Sequence, residues 1–339
     1  MSKTWPDQAI MMTLSAIAYQ LDIPGQLKNP NYATGGDWSL VWGPVQDDYG
    51  NLAYVAKSAS KGAFALVIRG SLTTFSWAAF ENWFYDLDVL FQRPWPYFRN
   101  TPGTMVSSGS YIQASNLTSS TYAGQTLASF LTQGVPAGST LYVTGHSLGG
   151  NLATVLASWI SAQRNPNPGQ PDPKTQVYTF AAPSPGNTVF ASAYNQRFPN
   201  SWRYWNQLDA VPNAWDNLLA INSIYDSYFL PTPILVQGAV DSMEAALLAS
   251  EDYYNSYYQQ TNGPGTPLGP SFIIPAPDWY TEMEGQHAHN TYLNLLDAPP
   301  VVPEMFLGER APLRGPILER PILKKEQVPP LIITRRRAS

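Results

Sequence analysis

Cysteine is absent from the 339 residues. That excludes a disulfide scaffold, any thiolate metal site and a cysteine nucleophile. Charge is sparse, with 13% of residues charged against 44% hydrophobic, so the chain can bury a large core. No uncharged apolar run reaches the ~18 residues of an ordinary membrane-spanning helix. Histidine is the scarcest chemical group, with only His146, His287 and His289. Net charge is -5, and its distribution is uneven. From Gly308 onward there are eight basic and three acidic residues, which leaves the remainder at -10. A body so acidic is not built to bind nucleic acid.

Residues 8–21 carry no charge, and Ile10, Leu14, Ile17 and Leu21 recur at helical spacing. Pro6 and Asp7 interrupt what a secretory leader would need, so a first core helix is expected. The protein is then expected to stay in the cytoplasm or to be exported without a leader peptide. Apolar runs at 62–68 and 141–144 read as buried strands, 153–160 as a packed helix, and 177–180 and 202–205 as further strands. Strands alternating with helices imply an α/β fold with a mostly parallel sheet and helices on both faces. Residues 161–173 read as a loop. Beyond 299 frequent prolines forbid long helices, so 300–339 is expected to be an extended or disordered basic tail.

Gly145-His146-Ser147-Leu148-Gly149 fits G-x-S-x-G, the strand-to-helix elbow of a serine nucleophile. Glycine is needed on both sides because side chains there would strike neighbouring backbone. The turn lifts the Ser147 hydroxyl clear of the sheet and aims the next amides, first that of Leu148, at a developing oxyanion. A serine hydroxyl is a poor nucleophile until a histidine takes its proton. His146 sits inside the elbow and should face away from the reacting side, so the base must be His287 or His289. A carboxylate must orient that imidazole. Asp209 follows a strand candidate and precedes Val211-Pro212, a position where a sheet enzyme places its acid, whereas Asp216 and Asp226 lack a strand lead-in.

Together these residues resemble the fungal-type class 3 lipases. The resemblance rests on GHSLGG at 145–150, Ile68-Arg69-Gly70-Ser71 upstream and Thr179–Asn187 downstream. It also rests on Asn82-Trp83 with Asp86-Leu87, on Asn206–Pro212, and on His289-Asn290-Thr291-Tyr292-Leu293. It spans roughly residues 10–297. It implies an α/β-hydrolase domain over 1–299, with a helical lid at about 72–91 and an insertion at about 213–280. It implies a catalytic set of Ser147, Asp209 and His289, with Ser71 joining Leu148 in the oxyanion hole. The family's disulfides have no counterpart here, and the stretches 71–82 and 209–289 are longer than usual.

Residues 72–84 are unusually aromatic, and Thr74 could cap a helix that begins near Phe75. Trp77, Phe80 and Phe84 would then form one apolar stripe. The resemblance makes this segment the lid, with Phe75, Trp77, Phe80, Trp83 and Phe84 as candidate acyl contacts. Asp241–Gln260 reads as a second amphipathic helix capped by Asp241 or Ser242. The expected activity is carboxylester hydrolysis through an acyl-enzyme on Ser147, most simply that of a triacylglycerol lipase at a lipid–water interface. Phospholipase, polyester depolymerase and acyltransferase chemistry use the same triad, and a catalytically silent lipid- or protein-binding scaffold is the alternative of a different class. No metal, cofactor, nucleic acid or stable protein partner is implied.

Overall fold

The computed structural model describes residues 4–70, 76–164, 171–172 and 174–302, with nothing described of the side chains at 83, 85 and 86. Seven strands form the central sheet: β1 Trp38–Gln46, β2 Leu52–Ser58, β3 Phe64–Arg69, β4 Leu141–His146, β5 Thr175–Phe180, β6 Ser201–Asn206 and β7 Thr266–Leu268. They lie side by side in chain order. β1, β2 and β3 make an antiparallel meander, and β3 through β7 run parallel. The helices used below are α1 Asp7–Ile17, α2 Trp77–Asp86, α3 Leu148–Arg164, α4 Ile234–Tyr254, α5 Trp279–His287 and α6 His289–Leu295.

Alternate residues of the central strands enter two separate cores, as the two-residue period of a strand requires. Phe64, Leu66 and Ile68 of β3 join Val143, Val177 and the α3 residues Leu152, Val155 and Leu156 on one face. Ala65 and Val67 join Tyr142, Tyr178 and the α1 residues Met11, Leu14 and Ile17 on the other. Both faces are covered, so β3 and β4 are buried at every position. This is why they read in sequence as unbroken apolar runs rather than alternating ones.

The uncharged segment near the start is a core helix, buried from Ala9 through Ile17. Ser15 Oγ lies 3.0 Å from Thr144 Oγ1, and the Tyr54 hydroxyl donates to the Leu14 carbonyl, which pins α1 to the sheet. Two expected boundaries change. The body extends past 299: Val301 is fully buried, and its amide and carbonyl both bond the Asn290 side chain. The helix expected from Asp241 begins instead at Ile234, just after Pro233, and ends at Asn255 in a left-handed cap. Proline leads into the first turn of a helix at no cost, so the start signal was Pro233 and not Asp241. Residues 303–339, which hold nearly all of the expected tail, lie outside the described residues.

Candidate active site

The site forms at the carboxyl ends of β4 and β6. β4 ends at His146, Ser147 makes the turn, and α3 starts at Leu148. Ser147 has φ +62°, a left-handed backbone that non-glycine residues seldom adopt. Its amide donates to the Phe180 carbonyl of neighbouring β5, which fixes the turn. The flanking glycines have no room for a side chain. A Cβ on Gly145 would lie 2.2 Å from the Gly149 carbonyl oxygen, and one on Gly149 would lie 2.3 Å from the Ile68 carbonyl oxygen. The end of β3 is equally tight against the start of α3, since a Cβ on Gly70 would fall 2.5 Å from Leu148 Cβ. The strand that leads to Ser71 is thereby pressed against the first residue after the nucleophile.

The Ser147 hydroxyl reaches His287, with Oγ 2.8 Å from Nε2. On its other side the His287 Nδ1–H donates to Asp209, 2.9 Å from Oδ2 and 3.1 Å from Oδ1. Asp209 accepts only hydrogen bonds in this arrangement, so the proton on the ring sits at Nδ1 and Nε2 is free to receive the serine proton. Two more donors hold the carboxylate: the Val211 amide at 2.9 Å and the Tyr292 hydroxyl at 2.7 Å. Tyr292 in turn accepts from the Asn206 amide at the end of β6. All four side chains are buried, with Asp209 and Tyr292 completely enclosed and Ser147 only 5% exposed.

His289 was the expected base, and the structure places it elsewhere. α5 ends at His287, Ala288 is extended (φ -60°, ψ 137°), and α6 starts at His289. That single extended residue sends the two imidazoles in different directions. The His289 ring stacks on Tyr19 at a centroid distance of 5.7 Å, and its Nε2 has no partner. Burial, with His287 nearby, lowers its pKa to about 4. Tyr292 bonds Asp209 from α6, but the histidine that reaches both Asp209 and Ser147 is the last residue of the preceding helix, α5, and not His289 on the tyrosine's own helix. The signal available in the sequence was the α5 face: Trp279, Met283 and His287 recur at i, i+4 and i+8, and all three are buried.

His146 is also buried, 4.9 Å from the His287 ring, with Nε2 unpartnered. Burial pushes its pKa well below the ordinary histidine value. Tyr19 lies between the elbow and the end of β3. Its ring centroid lies 6.5 Å from that of His146, and the Arg69 guanidinium stands 5.9 Å over its ring. Burial raises the Tyr19 hydroxyl to about 12. Among the described residues no cluster of three histidine, aspartate or glutamate side chains could hold a metal ion.

Residues 65–217 match the family model of the class 3 lipases. A lipase of Caenorhabditis elegans is 41% identical over 73 residues, 22% of this chain and 20% of that protein. The alignment therefore spans a fifth of that relative's length. The M37 lipase crystal structure superposes with a TM-score of 0.73 at 22% identity, covering 86% of this chain and 93% of that one. That likeness establishes the α/β-hydrolase fold. A Rhizomucor miehei lipase in complex with its propeptide is 25% identical, with a TM-score of 0.48 over 61% of this chain and 62% of the other.

The class 3 lipase match takes in Ser147 and Asp209 but stops before α5, so the pairing of His287 with Ser147 rests on distance and not on alignment. Of the expected oxyanion residues, Leu148 begins α3 beside Gly70, while Ser71 lies outside the described residues. Phe75 and Thr74 lie outside them too. The first turn of α2 is instead held by Ser76, whose hydroxyl accepts from the Ala79 amide. Trp77, Phe80 and Phe84 do form one buried stripe. Trp77 packs on Phe80 and on Trp279 of α5, and Phe80 and Phe84 pack on Trp215, with ring centroids 5.4–5.9 Å apart. Trp83 is part of α2.

Proposed function

We propose that this chain is a serine carboxylester hydrolase of the lipase type, and that Ser147, His287 and Asp209 are its catalytic residues. The observation that carries this reading is the unbroken line of hydrogen bonds from Ser147 Oγ through His287 to Asp209, on a strained elbow at the sheet's carboxyl edge. In the reaction, Ser147 Oγ attacks the ester carbonyl while His287 Nε2 takes its proton. The imidazolium that forms is stabilised by Asp209, which Tyr292 and the Val211 amide hold in place. The Leu148 amide at the start of α3 offers one donor to the oxyanion, and the loop after β3 is read as the source of the second, at Ser71. His287 then gives its proton to the departing alcohol. Water repeats the relay to release the acid.

The lipase reading, rather than a short-chain esterase, is supported by the near-complete burial of Ser147 and by the aromatic stripe of α2 beside α5. We read α2 as the lid and the segment 213–280 as an insertion packed beneath it. A lidded site opens when a lipid surface accepts the apolar stripe. The matched relatives named as lipases favour triacylglycerols or related lipid esters over other acyl substrates.

The test is hydrolysis of p-nitrophenyl esters from acetate to palmitate, below and above the solubility limit, with Ser147→Ala as control. Long-chain turnover that rises sharply once the ester forms an interface, and is lost in Ser147→Ala, is the expected result. A short-chain preference with no rise means an esterase in which α2 is a fixed wall. Failure of a fluorophosphonate to label Ser147 identifies a silent scaffold and overturns the reading.

A further inference from the structure

The segment between Asp226 and Asp241 turns its apolar side chains outward. Phe229 is 95% exposed, Ile234 85% and Leu235 84%. Leu219 and Tyr228 beside them are also exposed. Phe229 sits in the left-handed region at φ +60°, a conformation that is an outlier for a bulky residue. The tip is nevertheless anchored from below. Val236 and Val240 are buried, the Thr232 hydroxyl donates to the Ile221 carbonyl, and the Gln237 side-chain Nε2 donates back to the Thr232 carbonyl. The fully buried Tyr225 donates to the Leu208 carbonyl, one residue before the catalytic acid.

We infer that this tip is a docking element for an uncharged lipid surface, the phase that would hold the ester substrate; the inference rests on the lipase reading above. Three observations choose that occupant. No aspartate, glutamate, histidine, lysine or arginine occurs from Ser227 to Val240, and no lysine or arginine occurs anywhere from Tyr204 to Glu309. A surface with no cation and with Asp226 and Asp241 at its margins is attracted to neutral lipid and not to anionic headgroups. The three most exposed side chains offer roughly 500 Å² of apolar surface, short of the ~800 Å² per partner of a stable protein interface. Side chains on a turn and on the first turn of α4 also project, and a fluid surface takes projecting side chains without a matching cavity. The tip is joined to the proposed lid through a shared core, because Trp215, Tyr225, Val236 and Val240 pack in the same cluster as Trp77, Phe80 and Phe84.

The experiment is flotation of the full chain with triolein emulsion, and with vesicles of phosphatidylcholine alone or containing phosphatidylglycerol, alongside turnover of dissolved p-nitrophenyl butyrate. Wild type and Phe229→Leu should partition to triolein and to phosphatidylcholine. Phe229→Asp combined with Leu235→Asp should lower that partition at least ~10-fold while dissolved-ester turnover stays within about 2-fold. Equal partition of the double aspartate variant and wild type overturns the inference. So does binding that appears only with phosphatidylglycerol, or a wild-type dimer that the double variant converts to monomer. Loss of the lipase reading is distinguishable, because it shows as absent ester turnover whatever the partition.

Discussion

His287 Nε2 stands 2.8 Å from Ser147 Oγ although 140 residues separate the two in sequence. His289, two residues further on, stacks on Tyr19 instead. Substituting each in turn should therefore separate them cleanly. His287→Ala should lower kcat/KM about 10⁴-fold or more, close to the effect of Ser147→Ala, because members of such a set act as a unit. His289→Ala should keep turnover within about 10-fold. The reverse ranking, measured on a dissolved ester, would reject the assignment of the base.

Tyr292 gives Asp209 a hydrogen bond at 2.7 Å from a fully buried position. Tyr292→Phe keeps the packing and removes only that donor. A hydrogen bond to a charged group contributes ~1.5–3 kcal/mol, so turnover should fall about 10- to 100-fold with KM little changed. Unaltered kcat would mean that the Val211 amide and His287 suffice to hold the acid.

Acid should destabilise the fold through its buried histidines. In the folded protein burial holds His146 and His289 below the ordinary histidine value, His289 at about 4. The unfolded chain therefore binds more protons once the pH drops below about 6.5, and stability falls with pH from there to about 4. His289→Gln removes one of these groups, and its melting temperature should depend less steeply on pH across that window. An unchanged slope would show that other groups dominate.

The elbow glycines and the helical Gly238 make opposite predictions. Gly145→Ala drives a Cβ to 2.2 Å from the Gly149 carbonyl oxygen, so it should cost about 3 kcal/mol or more in urea unfolding. Gly238 lies inside α4, and a Cβ there meets nothing within 4 Å. Gly238→Ala should stabilise by about 0.5–1 kcal/mol. Equal effects of the two would show that the crowding at the elbow relaxes.

Much of this architecture is written locally. β3, β4 and β5 are buried on both sides and announce themselves as apolar runs closed by glycine or polar residues, and the elbow at Ser147 declares its own turn. β1 was illegible because register shifts between Leu40 and Trp42, and between Trp42 and Val45, break its alternation. β7 was illegible because Thr266–Leu268 is three residues long and joins the sheet only through its neighbour β6. The break at Ala288 between α5 and α6 carries no side-chain signal, so only the i, i+4, i+8 spacing of Trp279, Met283 and His287 marked His287 over His289. Asp209, which the structure places against His287, was singled out because its position just past a strand end is itself a local feature.

The placement of α1 has a consequence for how the molecule is assembled. Its apolar face is completed by Thr144 of β4 and by Tyr292 and Leu293 of α6. During synthesis the first helix thus leaves the ribosome long before its partners exist. Closing so long a loop is slow relative to local helix formation. β2 and β3 can cover part of α1 early, but the rest of its apolar face stays open until nearly the whole body has been made, and there a nascent chain would call on a chaperone.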